Sequence, residues 1–266
     1  MKRTTLRFVL TLLTLSFLTN PALAAPTARQ IIDKAFETGR LDGSEGIMTL
    51  TIMNKKGQKR VRKIASATKL VDGGATEKKL SRFLSPADVK GTGFLTFDYE
   101  IKDDDMWLYM PALRKTRRIV STEKSKSFMG SEFAYADMNL PNLDDFTYEL
   151  LPEESVDGAP CYVIMSTPKD DDIADENGYS KRKAWLGKAD NVIRKAIYWD
   201  IDGERLKVMS ATKITLIDPE KKRARPFHME MVNEQNGRKS ILDIEKLQLS
   251  KDVKDEYFTT RYLERQ

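Results

Sequence analysis

Cysteine and histidine are almost absent from this 266-residue chain, which contains one of each, Cys161 and His228. A single cysteine cannot form an intrachain disulfide, and a zinc site needs several cysteine or histidine ligands. Cys161 lies in an apolar run, so we expect it to be a small buried hydrophobic side chain. The scarcity of these residues excludes a disulfide scaffold and a zinc site with cysteine or histidine ligands.

The short motifs of common enzyme sites are also missing. There is no G-x-S-x-G, no Walker A sequence and no G-x-G-x-x-G, and Gly91-Thr92-Gly93 fits a turn. Two acidic runs, 103–105 and 170–172, lack the pattern of a calcium loop and predict solvated turns. We therefore expect no enzymatic activity, no cofactor and no metal. A lipid hydrolase stays open as an alternative, with His228 as its base.

A long apolar run is missing beyond the N-terminus. Residues 1–24 combine an early group of basic residues, the apolar stretch Phe8–Leu18 and an Ala22-Leu23-Ala24 cleavage pattern, which is typical of a signal peptide. The stretch is shorter than the ~20 residues of a membrane span. We expect cleavage after Ala24 and a single domain, residues 25–266, in the periplasm.

Excess charge of one sign is lacking as well. The chain has 45 Lys and Arg against 40 Asp and Glu, and three of the basic residues belong to the expected signal peptide. The remaining charge is close to balanced, whereas nucleic-acid binding requires a concentrated basic face. We therefore expect no nucleic-acid partner.

The residues that are present predict one N-terminal helix followed by strands. Thr27 and Gln30 fit a capping box, and Gly39 is a plausible helix end. Short β-type runs follow, and Asp202-Gly203 and Asn236-Gly237 are strong hairpin signals. We expect about eleven or twelve strands in an antiparallel meander, with a second short helix over Asp255–Leu263.

Several strands are apolar on both faces, which indicates that both faces are covered. In the run 106–110, for example, Trp107 and Tyr109 oppose three apolar residues. The alternation does not decide which face lines an interior cavity. Our candidates for an apolar, lipid-binding cavity are Phe94, Phe97, Trp107, Tyr109, Trp185 and Trp199.

Residues 121–145 form a polar connection with an unusual number of large apolar side chains. A long loop of this kind in a compact domain is typical of a functional lid. The apolar candidates of this lid are Phe128, Met129, Phe133 and Met138.

A basic strand follows the Trp107 run. It contains Arg114, Lys115, Arg117 and Arg118. Such a strand fits either an exposed sheet edge that is protected by charge or a surface for an anionic membrane or an acidic partner.

Three blocks of the sequence resemble the LolA-like family of outer-membrane lipoprotein-sorting proteins. They are RFLSPADVKGTGF from Arg82, DMWLYMPALRKTRRI from Asp105, and SFMGSEFAYADM from Ser127. The resemblance implies an incomplete, strongly curved antiparallel β-barrel that is closed by helices and a lid, with an apolar cavity for acyl chains.

The same resemblance implies a carrier of lipoproteins or lipids between the inner and outer membranes. Its partners would be an inner-membrane exporter of the ABC or RND type and an outer-membrane acceptor, and we expect a monomer. Two alternatives remain open: a carrier of free lipid for an RND-type exporter, and a signalling or assembly module that binds a protein through the basic strand.

Overall fold

The computed structural model describes residues 25–265, so the predicted signal peptide lies outside the described residues. Thirteen strands form one antiparallel sheet, one or two more than the sequence predicts. The strands are β1 (Gly43–Met53), β2 (Lys59–Val71), β3 (Thr76–Ser85), β4 (Gly93–Tyr99), β5 (Asp105–Met110), β6 (Lys115–Ile119), β7 (Phe146–Val156), β8 (Ala159–Pro168), β9 (Lys181–Gly187), β10 (Ile193–Trp199), β11 (Arg205–Asp218), β12 (Arg223–Asn233) and β13 (Lys239–Leu249).

The sheet is an incomplete barrel made of two meanders. Its order is β6-β5-β4-β3-β2-β1-β13-β12-β11-β10-β9-β8-β7, so the first and last strands of the chain pair at its centre. The edge strands β6 and β7 do not pair with each other. Both run in the same direction from one rim to the other, so the connection between them must cross back over the sheet. The predicted curved, unclosed antiparallel sheet is confirmed.

One face of the sheet encloses the main apolar core. Side chains of the two halves meet there, which makes this face concave. Its buried members include Leu50, Ile64 and Phe94 from one half, and Ile164 and Leu186 from the other. Helix α1 (Ala28–Gly39) packs on this face and buries Ile31 and Ile32. The predicted capping box is present, since Thr27 accepts from the Gln30 backbone and the Gln30 side chain accepts from Thr27 N at 2.9 Å.

The convex face is covered in part by the C-terminal segment. A one-turn 3-10 helix, Asp255–Phe258, and α3 (Thr260–Leu263) agree with the predicted short helix. Phe258 and Leu263 pack on Leu80 and Leu95. Gly93 permits this contact, because a Cβ there would lie 2.5 Å from Leu263 Cδ1. Strands β3 to β5 are apolar on both faces because the lid packs on the concave face and the C-terminal segment packs on the convex face.

One helix of the structure differs from the sequence-based expectation. Helix α2 (Asp171–Asn177) lies between β8 and β9, where we expect a solvated turn. Asp170 is its N-cap and accepts from Ile173 N at 2.9 Å, while Asp171 and Asp172 occupy the first turn. Acidic residues are stabilised at a helix N-terminus, which explains this run. The predicted hairpin turns at 202–203 and 236–237 are both present.

Candidate functional site: the covered concave face

The segment between β6 and β7, residues 120–145, crosses the concave face and covers it; we call residues 121–145 the lid, as predicted. It contains four short 3-10 turns and no strand pairing apart from one bridge between Ser127 and Ala134. Met129 adopts a left-handed backbone with φ of 53°, which a non-glycine residue rarely adopts. Because the lid does not pair with the strands of the sheet, contacts that involve side chains hold it in place.

Aromatic packing is the apolar part of this attachment. The Phe128 ring centroid lies 5.3 Å from Phe94 and 6.1 Å from Phe83, both on the concave face. Tyr135 lies 5.5 Å from Phe94 and 5.7 Å from Phe128, and Phe133 is buried in the same cluster. Met129 and Met138 are partly buried against it. Each predicted lid residue therefore faces the core.

Buried polar contacts fasten the lid to β11, β12 and β13. Lys207 Nζ lies 2.7 Å from Asp137 Oδ2, with only 8% and 16% of the two side chains exposed. Glu132 accepts from Asn233 Nδ2 at 3.0 Å and donates its backbone N–H to Ser240 Oγ at 2.9 Å. These contacts thus join the lid to three strands that lie much later in the sequence.

A second group of contacts fastens the lid to β2, β3 and β4. Arg62, buried on the concave face, donates to the backbone carbonyl of Met129. Lys79 donates to Asp98 Oδ2 at 3.0 Å and to Met138 O at 3.3 Å. Burial lowers the pKa of Lys79, but Glu77 and Asp98 outweigh it and raise that pKa above its usual value. This lysine therefore stays charged between the sheet and the lid.

Asp104, in the loop before β5, joins the same region. It accepts from Asn139 Nδ2 of the lid at 2.7 Å and from Tyr99 N at 3.2 Å. Burial, and next the nearby charge of Asp98, raise its pKa to about 6. The predicted solvated turn at 103–105 is thus wrong for Asp104, because its carboxyl group turns inward to the lid.

A row of polar side chains crosses the concave face near the rim where β7 begins. Register places one residue of each of six neighbouring strands side by side. The row consists of Tyr148, Ser166, Arg182, Tyr198, Lys207 and Asn233. This row cannot be predicted from the sequence, because each strand contributes one residue and only the register of the sheet joins them.

The six predicted cavity residues do not come together. Phe94 lies on the concave face under the lid. Phe97, Trp107 and Tyr109 belong to the convex cluster beneath the C-terminal segment, with Phe97 and Trp107 ring centroids 5.2 Å apart.

The other two candidates also point away from the concave core. Trp185 packs with Cys161 and Val163 in a separate cluster, and its Nε1 donates to Glu154 at 2.9 Å. Trp199 is partly exposed, with Lys181 Nζ 5.1 Å from its ring centroid. Cys161 is buried, as predicted.

The basic strand is β6, an edge of the sheet. Arg114 and Lys115 are exposed. Arg117 pairs with Glu123 at 2.7 Å, and Arg118 pairs with Asp105. Half of the basic group is therefore neutralised within the molecule.

His228 lies on the convex face, away from the lid. Its Nδ1 is 2.7 Å from Asp243 Oδ1 on the neighbouring strand. Within residues 25–265, no group of three or more acidic, histidine or cysteine side chains is positioned to hold a metal ion. His228 therefore does not face the apolar core that the lid covers.

A cleft of about 300 Å³ opens between α1 and the end of the lid. Its lining is mostly charged and includes Arg29, Asp33, Glu37, Asp98 and Asp144. Such a lining does not suit an acyl chain. The apolar concave face, by contrast, is covered by the side chains of the lid.

An unclosed antiparallel half-barrel with a segment folded across its concave face is the LolA-like architecture. A putative outer-membrane lipoprotein-sorting protein domain from Vibrio parahaemolyticus is 29% identical, with a TM-score of 0.81 over 90% of this chain and 98% of that one. A DUF1329 family protein from Desulfovibrio piger is 28% identical, also with a TM-score of 0.81, over 89% and 97%. A LolA superfamily protein from Nitrosomonas europaea shares the fold at 24% identity and a TM-score of 0.68, over 90% and 100%.

A protein-family model, described as "Uncharacterized protein"-like, matches residues 75–265. The chain therefore belongs to that family, and its predicted resemblance to LolA-like outer-membrane lipoprotein-sorting proteins is confirmed by the solved structures. No curated protein sequence matches it. Of the helices in the described residues, none has the length and apolar character that crossing a bilayer requires.

Proposed function

We propose that this protein is a periplasmic carrier that shields acyl chains of lipoproteins or lipids during transfer between the inner and outer membranes. The observation that carries the proposal is the apolar concave face, which is covered by a connection between strands and not by further strands. A connection can move while the thirteen-stranded sheet stays paired. The solved relative that is described as lipoprotein-sorting supports the same reading.

The proposed site is the face that the lid covers. Phe94 and the four apolar lid residues contribute directly to it. On β11 and β12, Met209 and Met231 add flexible apolar side chains, and Met suits adaptable surfaces. The remaining predicted aromatics would support the sheet from its convex side. Binding would require the lid to exchange its own aromatic contacts for those of the acyl chain.

The surroundings of this carrier are part of the proposal. The signal-peptide pattern would deliver residues 25–266 to the periplasm. An exporter of the ABC or RND type in the inner membrane would load the carrier, and an outer-membrane acceptor would unload it. No covalent step is required, in agreement with the proposed absence of enzymatic activity.

The test is gentle organic extraction of the purified mature protein, followed by lipid mass spectrometry and titration with a triacylated lipopeptide. We expect a stoichiometric acyl lipid, or uptake of the lipopeptide. Met209→Lys should reduce both, because it places a charge on the apolar concave face. Val61→Lys is the matched control, since Val61 is 53% exposed. A wild-type protein that neither contains lipid nor takes up lipopeptide would contradict the proposal.

A second candidate function is a protein-binding module that uses the β6 edge. Within residues 25–265, one edge of β6 has no strand partner, Arg114 and Lys115 are exposed, and the neighbouring Leu113 is 65% exposed. Charge reversal at Arg114 and Lys115 would discriminate the two. Loss of a protein partner with lipid uptake intact would favour this module, and intact partner binding would argue against it.

A further inference from the structure

Two neighbouring side chains of the polar row each have one buried polar atom without a hydrogen-bond partner within residues 25–265. Ser166 is 1% exposed, and its Oγ has no hydrogen-bond partner. Arg182 is its cross-strand neighbour, and the buried Nε of Arg182 also has none. Buried polar atoms are nearly always bonded, so two adjacent exceptions require an explanation.

Other positions of the row are matched by the lid. Lys207 pairs with Asp137, and Asn233 donates to Glu132. The lid therefore supplies an acidic residue at two neighbouring positions. Arg182, by contrast, is half-buried and hydrogen-bonds to Tyr198, but it forms no ion pair within residues 25–265. A guanidinium group cannot lose its proton in a protein, and a buried charge without a counter-charge is unfavourable.

Neutral hydroxyl groups surround Arg182. Tyr198 faces it across the β9–β10 pair, and Tyr148 is cross-strand to Ser166. Tyr179 packs on Tyr198 with ring centroids 5.3 Å apart. Burial raises the pKa of Tyr148, Tyr179 and Tyr198 to about 12, so all three stay protonated. The Tyr148 hydroxyl donates to Leu143 O of the lid at 3.0 Å, and movement of the lid would free it. The surroundings thus offer a fixed positive charge and neutral hydroxyl groups.

We propose that Arg182, Ser166 and the neighbouring tyrosines bind the anionic group, a carboxylate or phosphate, of an amphiphile whose acyl chain lies on the apolar concave face. The inference rests on the proposed carrier function and specifies its ligand as an anionic amphiphile. The adjacent positions agree with this arrangement, because Ala184 and Leu186 of β9 and Ala196 of β10 are buried apolar residues on the concave face. The charged group would lie at the rim and the chain further inside.

The experiment compares palmitate with hexadecanol in binding to the delipidated mature protein, by competition against a fluorescent fatty-acid analogue. The two ligands have the same chain length and differ in charge. We expect wild type to bind palmitate at least tenfold more tightly, as is typical of a buried charge-assisted hydrogen bond. Arg182→Met should abolish this preference and leave hexadecanol binding within about twofold. Arg182→Lys should retain part of the preference.

Controls separate this inference from the carrier proposal. Arg205→Met removes an arginine whose side chain is 52% exposed and paired with Glu234, so it should leave both affinities unchanged. Ser166→Ala provides a second, smaller perturbation and should weaken palmitate binding severalfold. Equal affinities of wild type for both ligands, or equal losses of both in Arg182→Met, would overturn the anion site while leaving the carrier intact.

Two further outcomes have distinct meanings. A wild-type protein that binds neither ligand would contradict the carrier proposal itself, and with it the anion site. Inorganic phosphate that binds in an Arg182-dependent manner, without competition from palmitate, would assign the site to a small soluble anion and overturn the amphiphile.

Discussion

Breaking the buried ion pair between Asp137 and Lys207 should release the lid. The Lys207 side chain is 8% exposed, and the Asp137 carboxylate also accepts from Ala134 N at 2.7 Å. Removing one partner of a buried pair costs about 3–5 kcal/mol, since the other charge is left uncompensated. If about 3 kcal/mol of this falls on lid closure, Asp137→Ala shifts the equilibrium towards opening by roughly two orders of magnitude.

Hydrogen exchange and a fluorescent apolar dye measure this effect. In Asp137→Ala, amides of residues 121–145 should exchange faster, whereas those of the central strands β1 and β13 should not. Dye fluorescence should rise as Phe94 and its neighbours become accessible. The double variant Asp137→Ala with Lys207→Met should recover much of the protection, because it removes both buried charges.

The control is Asp33→Ala, which breaks an ion pair with Arg29 whose side chains are 46% and 43% exposed. Exposed pairs contribute at most about 1 kcal/mol, so the lid should be unaffected. Unchanged lid exchange and dye binding in Asp137→Ala would refute the reasoning that buried polar contacts hold the lid. Uniformly faster exchange over the whole sheet would place the effect on global unfolding instead.

Three further predictions concern stability. The pKa of Asp104 is raised, so the stability that this group contributes is complete below its usual pKa near 4 and is lost as the pH rises through about 6. Asp104→Asn should therefore raise the melting temperature at pH 8 more than at pH 5, which circular dichroism would test. Leu263→Ala should lower the free energy of unfolding in urea by about 2–4 kcal/mol. Because it should also relieve part of the clash that Gly93→Ala introduces, the double variant should lose less stability than the sum of the two single variants. Cys161 is fully buried and burial raises the pKa of its thiol, so a thiol reagent should modify it only as fast as the protein unfolds. Rapid reaction with the native protein would contradict this.

The sequence contains enough local information to predict most of the fold. The capping box at Thr27 and Gln30 is a local arrangement, and so are the hairpin turns at 202–203 and 236–237. The apolar character of the lid was equally visible, since Phe128 and Phe133 occur in a region rich in polar residues. Each of these signals lies within a few residues, where local geometry decides the structure.

The site could not be predicted to the same depth, because it depends on pairing across the sheet. Alternation shows that Phe94 and Leu95 face opposite sides of the sheet, but not which side is concave. The C-terminal segment covers the Trp107 face from far along the chain. Ser166 and Arg182, which each have one buried atom without a hydrogen-bond partner in the described residues, become neighbours only through the β8–β9 register. Helix α2 was missed because its acidic N-cap run also fits a turn.

Release of a bound lipid is plausible energetically only if the lid can compete with the acyl chain for the concave face. Burying a 16-carbon chain contributes on the order of 12 kcal/mol, at about 0.8 kcal/mol per CH₂. Each buried lid aromatic, such as Phe128, Phe133 or Tyr135, contributes about 1.5–3 kcal/mol, so the three together return roughly half of that amount when the lid closes. The exchange is therefore closer to balance than either burial alone. The net free energy of this exchange is small, and both the buried ion pair of the lid and the proposed anion contact at Arg182 contribute to it. A change of a few kcal/mol at the polar row is therefore sufficient to favour loading or release.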